Sequence, residues 1–240
     1  MNYKMIRYVM GWVLRVEGIL LLFPCLIALG YREKQGYAYL IMALSCLVIG
    51  FLVSMKQPEK REIYTKEGLV SVSLSWIVMS LFGAVPFVIT GEIPFYIDAL
   101  FEIVSGFTTT GSSILPDVEA LSHASWFWRS FSHWIGGMGV LVFILMLLPI
   151  KGGTLMNLMK AESPGPDVGK FVPRVRNTAK ILYKIYIVMT IVQIALLLLS
   201  GMPWFDSVCM TLGTAGTGGF GIRNDSVGSC LLYTSPSPRD

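Results

Sequence analysis

Two short strips of the sequence combine flexible backbone with many oxygen atoms, and both could bind a cation. The first strip (108–112) and the second strip (217–220) contain Thr108, Thr109, Thr110, Gly111, Ser112, Thr217, Gly218, Gly219 and Phe220. Glycine adopts backbone conformations that are closed to other residues, and threonine hydroxyls can supplement backbone carbonyls as ligands. A row of such oxygens replaces the water shell of an ion in a cation filter. The candidate cation ligands are Thr109, Thr110, Gly111, Thr217, Gly218 and Gly219.

The two strips belong to a repeat, because matching features recur with a constant spacing. Asp98 and Gly111 are followed 108 positions later by Asp206 and Gly219, and each copy ends in Thr-x-Gly. Each copy also follows a long apolar segment and a break that contains glycine and proline. The matched order of elements predicts a unit of helix, re-entrant half-helix, filter strand and helix. Such a repeat decides the architecture.

Composition indicates a membrane protein that spans the bilayer several times. Hydrophobic residues make up 54% of the chain, charged residues 14%, and the mean hydropathy is +0.64. The net charge of +4 comes from basic residues in alternate loops between apolar segments, which is typical of membrane orientation and not of a nucleic-acid interface. We therefore expect lipid as a partner and no nucleic acid.

Five apolar segments are long enough for a hydrocarbon core, which needs about 20 helical residues. They cover about 11–30, 36–55, 69–90, 127–150 and 181–200. Ala99–Phe107 is too short to cross, and we interpret it as a half-helix capped by Asp98. The carboxyl end of this half-helix would direct partial negative charge at the first strip, which favours a cation.

The expected fold is an all-α polytopic membrane protein. Two leading transmembrane helices precede repeats of helix, re-entrant pore loop and helix, of which one is complete and one is partial. The predicted divisions are a two-helix extension with an inner loop (1–67), a first repeat (68–150), a basic cytoplasmic loop (151–180), a partial second repeat (181–229) and a tail foreign to the pattern (230–240). The distribution of lysine and arginine places the N-terminus in the cytoplasm.

Several charged residues and one glycine-rich run have simpler explanations than catalysis. Asp98 and Glu102 are interpreted as a helix cap and an outer-vestibule charge. Arg129, beside Trp126 and Trp128, is interpreted as an anchor at the membrane interface. His133 is expected to be packed or hydrogen-bonded, and the two histidines offer no third ligand for a metal site. The run 216–221 fits a nucleotide-binding pattern only formally, because an apolar helix precedes it. We expect no catalytic residues, no enzyme activity and no cofactor.

Longer motifs resemble the TrkH/KtrB potassium-transporter family. They are the run 98–111, the segments 127–130 and 134–139, the inner-loop segment 161–166, and the second strip. The resemblance implies a bacterial inner-membrane subunit in which four such repeats surround one pore, with potassium as the transported ion. It also implies a homodimer and a cytosolic, nucleotide-sensing regulatory subunit that is TrkA-like. Gly111 and Gly219 would be the central filter glycines, and glycine at both positions resembles the potassium-selective members.

Three alternatives stay open at this point. The chain could pass sodium, or couple its transport to sodium or protons, within the same fold. It could be a structural membrane protein whose repeats only pack, which predicts tolerance of Gly111→Ser. A membrane enzyme is the third alternative, and it predicts acids and histidines that face one another within the membrane.

Overall fold

A computed structural model describes residues 2–56, 58, 65–139 and 172–224. The described part is helical and contains no strand. Its helices are α1 (Tyr3–Leu20), α2 (Leu22–Tyr31), α3 (Gly36–Ser54), α4 (Thr65–Thr90), α5 (Tyr96–Phe107), α6 (His123–Gly137), α7 (Val172–Leu199) and α8 (Trp204–Ala215). This architecture is that of an all-α polytopic membrane protein, as the composition predicts.

In the described part of the chain, four helical stretches are long and apolar enough to cross a membrane. They are Tyr3–Tyr31, Gly36–Ser54, Glu67–Thr90 and Ile181–Leu199. The first stretch begins earlier than predicted, because the Asn2 side chain accepts a hydrogen bond from the Met5 amide and caps α1 ahead of the apolar residues. Lys4, the charged residue of this first turn, is exposed.

Glycines let the two leading helical segments approach closely. A Cβ atom at Gly11 would lie 2.9 Å from the Gly50 carbonyl oxygen, and one at Gly18 would lie 2.8 Å from the Ala43 carbonyl oxygen. Small residues at such contacts are typical of helix packing in membranes, where close backbone approach replaces the hydrophobic driving force. The leading segments therefore form one tightly packed antiparallel pair, α1 with α3.

The two half-helices match each other in length and register. α5 and α8 each have 12 residues, and their first residues, Tyr96 and Trp204, show the same 108-position offset as the strips. The predicted capping by Asp98 is wrong, because α5 begins at Tyr96, three residues before the predicted start, and its N-cap residue, Phe95, makes no side-chain cap. Asp98 instead lies in the first turn, where a negative charge still complements the helix dipole.

Two further boundaries differ from the sequence expectations. α6 begins at His123, ahead of the predicted position 127, because the Ser122 hydroxyl accepts a hydrogen bond from the Ser125 amide and caps the helix. α7 begins at Val172, inside the stretch assigned to the basic loop. The remainder of that loop, the end of the predicted fourth span after position 139, and the tail 230–240 lie outside the described residues.

Candidate functional site

The backbone of both strips adopts the same uncommon conformation at matched positions. Thr109 and Thr217 have φ values of 54° and 59°, and Gly111 and Gly219 have φ values of 77° and 88°. Positive φ is unfavourable for a β-branched residue such as threonine. Because backbone strain of this kind persists only where the surrounding fold imposes it, its recurrence in both copies marks the strips as a candidate functional segment.

Each strip leaves its half-helix through the same hydrogen-bonded turn. The Thr110 amide donates to the Ser105 carbonyl at 3.0 Å, and the Gly218 amide donates to the Gly213 carbonyl at 3.1 Å. The donors and the acceptors of these two bonds are both 108 positions apart. Since each strip starts where its half-helix ends, the partial negative charge of the helix carboxyl end lies beside it and favours a cation.

The two strips contact each other directly through their backbones. A Cβ atom at Gly111 would lie only 1.9 Å from the Gly218 carbonyl oxygen, a distance that real Cβ atoms essentially never show. Gly111 is therefore required both by its positive φ and by the neighbouring strip. At the matched Gly219, nothing in the described part of the chain lies within 4 Å of the Cβ position.

The carboxyl end of α6 fits between the carboxyl ends of α5 and α8. A Cβ atom at Gly136 would collide with the Phe107 carbonyl, and one at Gly137 would lie 2.7 Å from Gly216 Cα. The missing side chains at these two glycines permit this close approach. Side chains at these positions would push α6 away from the carboxyl ends of both half-helices.

Buried aromatic side chains pack the first half-helix, α5, against α4 and α6. Phe107 and Trp128 are fully buried, and their rings meet edge to face with centroids 6.1 Å apart. The Trp128 indole N–H donates to the Gly83 carbonyl of α4 at 2.9 Å, so a buried polar group finds a partner. This packing fixes the distance between α4, α5 and α6 behind the first strip.

A buried ion pair lies beside the first strip, and sequence reasoning missed it. Arg129 and Glu102 are 2% and 0% exposed at their side chains, with 2.6 Å between Arg129 Nη2 and Glu102 Oε1. The predictions of an interface anchor for Arg129 and a vestibule charge for Glu102 are therefore wrong. Opposite charges placed within two apolar segments were the available signal, because charges inside a membrane protein almost always pair.

Phe220 packs against α6 and does not offer a side-chain ligand. Its buried ring stacks on the His133 ring, with centroids 4.0 Å apart and planes inclined by 12°. The Arg129 guanidinium lies 4.2 Å from the centroid of the same ring. His133 is fully buried, as expected for a packed residue, and its ring nitrogens have no hydrogen-bond partner within the described ranges.

The comparisons with known proteins identify the family. The family model described as "TrkH: Cation transport protein" matches residues 35–232. This chain belongs to the TrkH family. It is 36% identical over 240 residues to the Trk system potassium uptake protein TrkH of Salmonella typhimurium, with 99% of this chain and 49% of that protein covered. It is 33% identical over 231 residues to the Trk system potassium uptake protein TrkG of Escherichia coli, with 95% and 47% covered.

A solved structure of the same family agrees with the fold. The crystal structure of the potassium transporter TrkH from Vibrio parahaemolyticus matches with a TM-score of 0.80 and 30% sequence identity, over 95% of this chain and 46% of that one. This chain therefore spans about half the length of the TrkH relatives it matches. The family membership and the fold class predicted from the sequence are both confirmed.

Within the described part of this TrkH family member, all of the predicted site residues except Phe220 are exposed or half-buried. Within the first strip, Thr108, Thr110 and Ser112 are exposed, while Thr109 and Gly111 are half-buried. In the second strip, Thr217 and Gly219 are exposed, Gly218 is half-buried and Phe220 is buried. The Thr108 hydroxyl donates to the Val104 carbonyl at 2.7 Å and lies 2.8 Å from the Thr110 hydroxyl. The Thr108 hydroxyl is therefore occupied by a hydrogen bond to the last turn of α5.

Proposed function

We propose that this chain is the first part of a potassium-uptake protein and that potassium crosses the membrane through a filter formed partly by the two strips. In this proposal, backbone carbonyls and threonine hydroxyls replace the water shell of the ion. The ligands come from Thr109, Thr110, Gly111, Thr217, Gly218 and Gly219. Thr108, Ser112 and Phe220 complete the strips and hold them.

The observation that carries the proposal is the matched positive φ of Thr109 with Thr217 and of Gly111 with Gly219. Both strips begin at the carboxyl end of a half-helix, where the helix dipole favours a cation. The two strips also touch at Gly111 and Gly218, so their oxygens are close enough to share an ion. Two of the cited relatives are named potassium uptake proteins, which favours potassium as the ion.

A complete filter in this proposal uses further strips from the rest of a longer protein. The chain covers 49% of the Salmonella TrkH sequence, and the Cβ position of Gly219 is open within the described part. At the matching Cβ position of Gly111, the first strip has the second strip as its neighbour. We therefore expect the second strip to gain a neighbouring strip at the Cβ position of Gly219. This chain is thus proposed to be a fragment that does not form a pore alone.

The proposed setting follows the same reasoning. We place the protein in the bacterial inner membrane with its N-terminus in the cytoplasm, because basic residues are concentrated in loops on that side. The Trk system names of the relatives favour additional components. We infer a homodimer and a cytosolic, TrkA-like regulatory subunit as partners.

Growth of a potassium-uptake-deficient bacterium at low potassium tests this function. The full-length gene that encodes this segment is expressed unmodified, with Gly111→Ser, and with Gly91→Ser as the matched control. Gly91 also has a positive φ, of 78°, but nothing in the described part lies within 4 Å of its Cβ position. We expect rescue by the unmodified and Gly91→Ser proteins only. Rescue by Gly111→Ser equal to that of the unmodified protein would favour repeats that only pack, and sodium entry would favour the sodium-passing alternative.

A further inference from the structure

We propose that Arg129 and Glu102 are positioning residues that couple the first filter strip to the second, and that this coupling sets the discrimination between potassium and sodium. The inference rests on the proposed function and goes beyond it, because neither side chain belongs to the strips. Both side chains are buried beside them. The pair acts through the backbone that follows each strip.

Glu102 fixes the backbone that leaves the first strip. Its carboxylate accepts hydrogen bonds from the Ser113 hydroxyl at 3.0 and 3.1 Å and from the Ile114 amide at 3.1 Å. It also accepts from Arg129 Nε at 2.7 Å. Within the described ranges, every hydrogen-bond partner of this carboxylate belongs either to the backbone segment after the first strip or to Arg129.

Arg129 reaches matched positions of the two repeats with one guanidinium group. Nη2 donates to the Ser113 hydroxyl at 3.3 Å, and Nη1 donates to the Gly221 carbonyl at 3.4 Å. Ser113 and Gly221 are 108 positions apart and each lies two residues after a central filter glycine. A planar guanidinium presents its donors in a fixed fork, so it holds these two positions at a set separation.

The aromatic ring of Phe220 adds a second contact between Arg129 and the second strip. The guanidinium carbon lies 4.2 Å from the ring centroid, within the range of a cation–π interaction. His133, one turn further along α6, stacks on the same ring. The second strip is therefore held by α6 of the first repeat, through a side chain and through a backbone carbonyl.

Stability alone does not account for a charged pair at this place. A buried ion pair gains little net stability over well-packed apolar residues, because both charges lose their water. In the second half-helix, the position that matches Glu102 is the buried Met210, so the half-helix architecture itself does not require a carboxylate. A pair that is costly to bury and that contacts the backbone following both strips fits a role in their spacing.

Spacing of the strips bears directly on ion selectivity. A filter distinguishes potassium from sodium either by the size of its cavity or by the number and field strength of its carbonyl ligands. Both quantities depend on the separation of neighbouring strips. Loosening the link between Ser113 and Gly221 should therefore let the strips close around the smaller ion.

The test measures inhibition of potassium uptake by sodium in cells that express the full-length protein. The variants are Glu102→Gln and Arg129→Lys, compared at equal amounts in the membrane. Glu102→Gln removes the negative charge, and Arg129→Lys removes the planar fork of donors, while each variant keeps a polar group of similar length. We expect each variant to lower potassium-over-sodium discrimination about tenfold. The control is Glu33→Gln, which disrupts a pair at the start of α6 between Glu33 Oε1 and His123 Nδ1, 2.7 Å apart. We expect that control to leave discrimination unchanged.

Two more variants keep the test decisive if a charged variant fails to fold. Ser113→Ala removes only a hydroxyl and leaves the ion pair intact, and we expect about a threefold loss of discrimination. The double variant Glu102→Gln with Arg129→Lys should lose no more discrimination than the worse of the two single variants, because residues that act as a unit are not additive. The coupling would be overturned if discrimination were unchanged in Ser113→Ala and in those Glu102 and Arg129 variants that fold. It would also be overturned if these variants took up potassium more slowly without a change in selectivity. Failure of the unmodified protein to take up potassium would instead contradict the proposed function.

Discussion

Replacing Gly111 by alanine separates backbone strain from the contact between the two strips. An alanine at any positive φ costs about 1 to 2 kcal/mol, because its Cβ crowds the following carbonyl. Gly111 has a φ of 77° and Gly91 has a φ of 78°, so Gly91→Ala costs the same strain. Gly91 differs in one respect, because nothing in the described ranges lies within 4 Å of its Cβ position.

The additional cost at Gly111 comes from the second strip. The added Cβ would lie 1.9 Å from the Gly218 carbonyl oxygen, while ordinary contact begins at 3.4 Å. The carbonyl must therefore move by about 1.5 Å, the difference between these two distances. A proposed ligand displaced this far no longer faces the ion at its former position. We expect potassium binding to weaken at least a hundredfold in Gly111→Ala and to be unchanged in Gly91→Ala.

The free energy of unfolding of the full-length protein in detergent, measured with and without potassium, reports this difference. A ligand present at one hundred times its dissociation constant stabilises the native state by about 2.7 kcal/mol. A hundredfold loss of affinity lowers that increment to about 0.4 kcal/mol at the same potassium concentration. Gly91→Ala should lose about 1 to 2 kcal/mol of baseline stability but keep the full potassium increment. If potassium stabilised Gly111→Ala by the full amount of about 2.7 kcal/mol, the placement of the ion beside the contact between Gly111 and Gly218 would be refuted.

Two further substitutions probe the packing behind the strips, with thermal unfolding as the measurement. Trp128→Phe leaves the buried Gly83 carbonyl without its 2.9 Å donor and should cost about 1 to 3 kcal/mol; an unchanged melting temperature would mean that this bond contributes nothing. Gly136→Ala forces α6 away from the Phe107 carbonyl and should abolish potassium-dependent stabilisation. Gly30→Ala is its control, because nothing in the described part lies within 4 Å of that Cβ position, and equal behaviour of the two variants would contradict the account.

The repeat and its register could be predicted from the sequence. Asp98 and Asp206, with the two Thr-x-Gly endings, give an offset that reappears in the half-helix starts and in the positive φ values. These features are local, because glycine and threonine types, proline breaks and apolar lengths determine them within one repeat. The contact between Gly111 and Gly218 joins the two repeats, and no pattern within either strip specifies it.

The role of Arg129 could not be predicted from its neighbours in sequence. Its position directly after Trp126 and Trp128 indicated a membrane interface, where aromatic residues are common. In the fold, α6 turns this side chain towards α5, and Glu102 compensates its charge. Burial of the pair depends on how α5, α6 and the second strip pack in three dimensions, and sequence spacing does not reveal that packing.

Anomalous diffraction from crystals of the full-length protein soaked in rubidium, a heavier ion of similar chemistry, tests the central claim most directly. We expect an anomalous peak between the first and second strips, within contact distance of backbone oxygens of Thr109–Gly111 and Thr217–Gly219. The peak should disappear in Gly111→Ser and persist in Gly91→Ser. Rubidium bound elsewhere, with no peak beside either strip, would contradict the assignment of these residues as an ion filter.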